Sequence, residues 1–228
     1  MLSSLRLPVI GAPMFIVSYP KLVIAQSQAG IIGTFPSLNA RKEGELDDWL
    51  TSIKKNINPK KHPKSSGLYG VNLINHHSNN RLEEDLNCIV KHKVPLVITS
   101  LGAPDNMVPR IHDYGGLIFH DVTNIKHAKR AAKSGVDGLV LVCTGAGGHA
   151  GGLNPFAFVT ETKNWFDGLI ILAGSLSTGH HIAAAKRIGA DFSYMGTRFI
   201  ATKEANAHQA YKEMITKVDL YDVSSSFS

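Results

Sequence analysis

The sequence predicts a (β/α)8 barrel. Three observations point there: eight short apolar runs rich in β-branched residues, a recurring phrase that stops a helix and starts a strand, and polar or glycine residues just past nearly every run. Apolar runs that are continuous rather than alternating mark strands buried on both faces of a parallel sheet. An open doubly wound sheet is the alternative arrangement of the same alternating elements. The strand count favours the barrel.

Val9-Ile10-Gly11-Ala12 is the first run, followed by Ile31-Ile32-Gly33-Thr34-Phe35 and Leu68-Tyr69-Gly70-Val71-Asn72-Leu73. Leu96-Val97-Ile98-Thr99-Ser100 and Leu117-Ile118-Phe119-His120-Asp121 come next. The set closes with Gly138 to Val142, Leu169-Ile170-Ile171-Leu172-Ala173 and Phe192-Ser193-Tyr194-Met195. Between them, Pro20 to Ala29 reads as a helix that ends at Gly30, a natural stop. Asn79 to His92 carries Leu82, Leu86, Ile89 and Val90 at helical spacing. Asn124 to Lys133 and Gly179 to Ile188 complete the helices read from the pattern. Ser134-Gly135-Val136-Asp137, Ile188-Gly189-Ala190-Asp191 and Gln28-Ala29-Gly30-Ile31 repeat nearly one phrase, the punctuation of a recurring β-α unit.

With 228 residues, the chain suits one large α/β domain, taken here as 1–228. A hydrophobic content of 43% with 18% charged residues is ordinary for a folded domain and argues against disorder. No apolar run approaches the roughly 20 residues of a bilayer span, so no membrane partner is expected. Met1-Leu2-Ser3-Ser4-Leu5-Arg6 does not read as a secretory signal. Cys88 and Cys143 are too few for a disulfide scaffold and have no metal-ligand spacing, so no metal is expected and a reducing cytoplasm is the simplest compartment. The net charge of +6 is concentrated between Lys54 and Lys64. That run has no interleaved aromatic residues, which argues against nucleic acid and for a solvated helix end and loop.

Polar and glycine residues follow the strands at Pro13-Met14, Asn72, Ser100, His120-Asp121, Thr144 to Gly152, Gly174-Ser175 and Gly196-Thr197. Active sites of barrels lie at this C-terminal rim. The segment Gly145-Ala146-Gly147-Gly148-His149-Ala150-Gly151-Gly152 combines a backbone that can approach a flat ligand with a side chain able to move a proton near neutral pH. Gly145, Gly147 and Ala150 loosely match a dinucleotide-binding turn, but Gly151-Gly152-Leu153-Asn154-Pro155 would break the helix such a turn needs. His149 is therefore read as a catalytic or substrate-contacting residue, with a packed turn histidine as the bland alternative. Gly174-Ser175 and Gly196-Thr197 read as a phosphate site against the alternative of tight turns. Asn72 reads as a buried amide that either bridges a heterocycle or caps backbone. His120 reads as a rim residue that touches a cofactor or packs. His62, His92, His112, His127 and His208 read as solvated.

The segments Pro8 to Met14, Gly70 to Leu73, Gly145 to Gly152, Leu172 to Ser175 and Tyr194 to Thr202 resemble, in order, those of the nitronate monooxygenases, formerly 2-nitropropane dioxygenases. The resemblance implies an FMN-dependent barrel that oxidises a nitronate or nitroalkane with O2. It implies that Ala12, Pro13 and Met14 lie against the flavin, with Asn72 at its polar edge. Gly147 and Gly148 would pack near the ring, with His149 as the base, and Ala173, Gly174, Ser175, Gly196 and Thr197 would hold the phosphate. Family members often carry lysine near the end of strand five, where this chain has His120. They also continue beyond Asp219-Leu220-Tyr221-Asp222-Val223 with helices over the barrel, so a barrel without those helices is expected. The oligomeric state is open, a homodimer among the options. An NAD(P)H-dependent FMN reductase like the enoyl-thioester reductases, and an inactive flavin barrel, are the alternative functions.

Overall fold

The structure, a computed structural model, describes residues 2, 5–148 and 151–219. Its strands are β1 (Val9–Gly11), β2 (Ile32–Pro36), β3 (Tyr69–Asn75), β4 (Leu96–Leu101), β5 (Leu117–Val122), β6 (Gly138–Val142), β7 (Leu169–Ala173) and β8 (Phe192–Met195). Each pairs in parallel with its sequence neighbour, and β8 returns to β1 through Ser193 opposite Val9 and Met195 opposite Gly11. The sheet is a closed barrel in sequence order. The expected fold class is therefore the observed one.

Closure divides each strand's side chains into two buried sets. Ile10, Ile32, Ile98, Phe119, Val140, Ile171 and Phe192 fill the barrel interior. The alternate residues, among them Val71, Leu73, Val97, Ile118, Leu139, Leu141, Ile170 and Leu172, pack outward against the helices. This is why the strands are apolar without alternation.

The helices are α1 (Pro20–Gln28), α2 (Glu45–Asn56), α3 (Leu82–His92), α4 (Met107–His112), α5 (Ile125–Lys133), α6 (Pro155–Lys163), α7 (Gly179–Arg187), α8 (Thr197–Ile200) and α9 (Gln209–Lys217). In α2, Leu46, Leu50 and Ile53 form one buried stripe. Acidic residues occupy its first turn and Lys54 and Lys55 its last, complementing the helix dipole. The lysine-rich run that follows is solvent-exposed, as its composition suggested. α6 begins six residues after the glycine loop's centre: Asn154 accepts from Phe156 N, and Pro155 occupies the first turn. The Asn-Pro pair that rules out a helix directly after β6 is thus the start signal of the helix beyond it. Among the described residues, no helix is long and apolar enough to cross a membrane.

Candidate active site

Strand parity decides which residues reach the barrel mouth. In β5, Phe119 points inward and Ile118 and Val122 point outward, so Asp121 shares the inner face and His120 the outer. His120 is buried and contacts the hydroxyl of Thr99, its outward-facing neighbour on β4, at 2.7 Å. Burial, with a smaller contribution from His127, pulls its imidazole down to about 4. Of the two roles read for His120, cofactor contact or packing, its place on the outer face supports packing, and the inward position at the end of β5 belongs to Asp121.

Asp121 terminates a polar ladder across three strands. Asn72 donates through Nδ2 to Ile98 O at 3.1 Å and to Ser100 Oγ at 2.9 Å. Ser100 donates to Asp121 Oδ2 at 2.7 Å. Both donors of the Asn72 amide are thereby committed, leaving Oδ1 as the atom it can offer a ligand. Burial raises the Asp121 carboxyl to about 6, against the lowering effect of Ser100. Tyr194, inward-facing on β8, is held well above its ordinary range by burial and then by Asp121. Among the described residues, Asp121 Oδ1 and Tyr194 OH are buried without hydrogen-bond partners. Buried polar atoms normally find partners, so this pair marks a place for a ligand or water.

The opposite arc of the mouth is built from small residues on converging loops. A Cβ placed on Gly196 would lie 3.5 Å from Met14 Sδ and 3.6 Å from Ala12 Cβ. One on Gly147 would lie 3.5 Å from Thr197 Oγ1. Gly174 has φ +125°, and a Cβ there would meet Thr144 O at 2.7 Å, so no other residue fits. Ser175 has φ +53° and donates its backbone N–H to Gly145 O at 2.9 Å. Its N–H is therefore committed to the glycine loop, which leaves its hydroxyl for a ligand. Ala173 closes the apolar interior beside Val142 and Tyr194. Pro13 and Gly148 are half-buried and exposed, respectively, on the same loops. His149 lies outside the described residues.

The loop after β1 is held rigidly. Ile16 adopts φ +57°, which is strained for a β-branched residue. Asn39 holds it there, accepting from Ile16 N at 2.8 Å and donating to Met14 O and Ser18 O. Met14 is thereby fixed beside Gly196.

The sequence model of the nitronate monooxygenases matches residues 38–227. The chain belongs to the nitronate monooxygenase family. Among its relatives, a 5-hydroxy-7a-methyl-1-oxo-octahydro-1H-indene-4-carboxyl-CoA dehydrogenase of Rhodococcus jostii is 25% identical over 96% of this chain and 59% of its own length. A nitronate monooxygenase of Neurospora crassa is 24% identical over 92% of this chain and 64% of its own. The chain thus spans about three fifths of the length of these curated relatives. The solved structure of FabK from Thermotoga maritima superposes with a TM-score of 0.85 at 26% identity, over 97% of this chain and 68% of that one.

In this member of the nitronate monooxygenase family, the structure brings together Ala12, Met14, Gly147, Gly174, Ser175, Gly196 and Thr197 on one arc, with Asn72 on the ladder opposite. Sequence reasoning passed over Ser100, Asp121 and Tyr194 as site residues. A signal was present, since a carboxylate and a hydroxyl end runs that are otherwise apolar. Which face they occupy was not.

Proposed function

We propose that this chain forms the FMN-binding barrel of an oxidoreductase that oxidises an alkyl nitronate, or its parent nitroalkane, with O2 to a carbonyl compound and nitrite. The observation that carries the reading is a pair of buried unpartnered atoms on inward-facing strand ends, Asp121 Oδ1 and Tyr194 OH, in a barrel whose loops converge through small residues. A free acceptor and a free donor on the inner face suit the N–H and C=O edge of a flavin pyrimidine ring. Asn72 Oδ1 adds an acceptor at the same edge. Gly196, Thr197 and the Ser175 hydroxyl would hold the phosphate, and Met14 would pack on the ring. FMN, when bound, supplies the acceptor for the substrate's electrons and the route to O2. His149 would remove the α-proton of a neutral nitroalkane or orient the nitronate.

A second reading is supported by the CoA-thioester dehydrogenase and FabK likenesses: an NAD(P)H-dependent FMN reductase acting on an unsaturated thioester. One experiment separates them. The purified protein is titrated with FMN and mixed anaerobically with nitronates or with NADH. Bleaching by a nitronate supports the first reading. A flavin spectrum that no nitronate changes, with bleaching by NADH and turnover of an enoyl thioester, replaces it with the second. A colourless protein that takes up no FMN ends both and leaves an inert barrel.

A further inference from the structure

We propose that Asp47, Cys88 and His92 form a binding site for a zinc-class divalent transition-metal ion between α2 and α3. Cys88 and His92 are one helical turn apart on a single face of α3, and Asp47 lies in the first turn of α2. Packing of the two helices gathers a carboxylate oxygen, a thiol sulfur and an imidazole nitrogen within 4.8 Å of one another. Asp47 Oδ1 is 2.8 Å from His92 Nε2 and 4.0 Å from Cys88 Sγ. Modest side-chain rotation brings such donors to the Zn–S and Zn–N distances of about 2.3 and 2.0 Å that a tetrahedral ion requires.

The chemistry of the set is selective. Sulfur and imidazole beside a single carboxylate suit zinc or cobalt rather than calcium or magnesium. All three groups are half-buried, which limits their freedom before binding. A surface cavity of about 510 Å³ is lined by Asp47, Cys88 and Glu84, giving the ion a path in and room for a fourth ligand. That ligand is a water or the carboxylate of Glu84, one turn before Cys88 on the same face.

Charge balance is straightforward. Cys88 binds as the thiolate and its proton leaves to solvent. His92 binds as the neutral imidazole. Lys91 Nζ now contacts Asp47 Oδ1 at 2.6 Å, but its side chain is 68% exposed and its exposed ion pair is weak. The divalent ion displaces that ammonium and ties α2 to α3. The metal-ligand spacing absent from the two cysteines in sequence is thus supplied by a second helix.

The test is titration of the chelator-treated 228-residue chain with Zn2+ by calorimetry and with Co2+ by absorbance. The expected result is a single tight equivalent and a thiolate-to-cobalt charge-transfer band. Cys88→Ser should abolish the band. His92→Ala and Asp47→Asn should each weaken binding by at least about tenfold. Lys91→Ala should tighten it by removing the competitor. Circular dichroism confirms that each variant is folded. No cobalt–thiolate band in the parent, or Zn2+ affinity unchanged in a Cys88→Ser/His92→Ala double variant, overturns the proposal and leaves the cluster as an ion pair beside an unreactive thiol.

Discussion

Ser100 donates a 2.7 Å hydrogen bond to Asp121 Oδ2, while the second carboxylate oxygen of Asp121 is buried without a partner among the described residues. One oxygen is thus held by a hydrogen bond and the other is buried on the inner face of the barrel. The carboxyl's elevated proton affinity follows from that burial.

The pH dependence of stability tests this. Asp121 is raised from 3.8 to about 6, so the fold holds its proton more tightly than the unfolded chain. Its contribution is fully present below about pH 4 and is lost as pH rises through about 6. His120 is lowered from 6.5 to about 4, so its contribution runs the other way: present above about 6.5 and lost as pH falls through about 4. The two oppose each other in one window. Asp121→Asn should unmask the histidine, and thermal melts of that variant should show stability rising between about pH 4 and 6.5 more steeply than in the parent. Parallel profiles for the two proteins would place the Asp121 carboxyl in an ordinary solvated environment.

His120→Leu separates the two faces of β5. The substitution removes a buried polar contact with Thr99 and is expected to cost about 1–2 kcal/mol of stability. FMN affinity should be unchanged, because the side chain faces the helices. Chemical denaturation and a flavin titration check both parts. Loss of FMN binding in a fully stable variant would return His120 to the mouth.

Gly174 and Gly196 should respond differently to valine. At Gly196 the nearest neighbours of an added Cβ are Met14 and Ala12, at ordinary contact distance, so Gly196→Val should fold. It should obstruct the approach of an anion and weaken FMN binding by at least about tenfold, the worth of a charge-assisted hydrogen bond. At Gly174 the left-handed φ and the 2.7 Å contact with Thr144 O make the same change costly to the fold itself. Gly174→Val should lower the melting temperature as well as FMN affinity. Equal FMN affinity in Gly196→Val and the parent would move the phosphate elsewhere.

His149→Ala probes the base. Activity on a neutral nitroalkane should fall by roughly 10²–10⁴-fold, the usual worth of general base catalysis. Activity on the preformed nitronate should fall much less, since that substrate arrives deprotonated. FMN content should hold. Equal losses on both substrates would make His149 an orienting residue rather than a proton acceptor.

The sequence by itself determined the barrel. Runs such as Gly138 to Val142 and Leu169 to Ala173 are strands to the residue, because a parallel sheet buried on both faces demands unbroken apolar side chains. It also placed polar and glycine residues at the C-terminal ends of most strands, the rim where barrels carry their active sites. Helix α6 was not read from the pattern, because Asn154-Pro155, its start signal, stands behind the glycine loop and reads there as a helix breaker. Only the tertiary structure decided between His120 and Asp121. When both faces of a strand are buried, composition does not reveal which one turns inward, and barrel closure sets the parity. The same holds for the atoms left without partners at Asp121 and Tyr194, which come from β5 and β8. It holds as well for Asp47, whose distance from Cys88 and His92 along the chain is cancelled only by the packing of α2 on α3. Local pattern fixes which elements form; the juxtaposition of side chains from different elements is a property of how those elements close on one another.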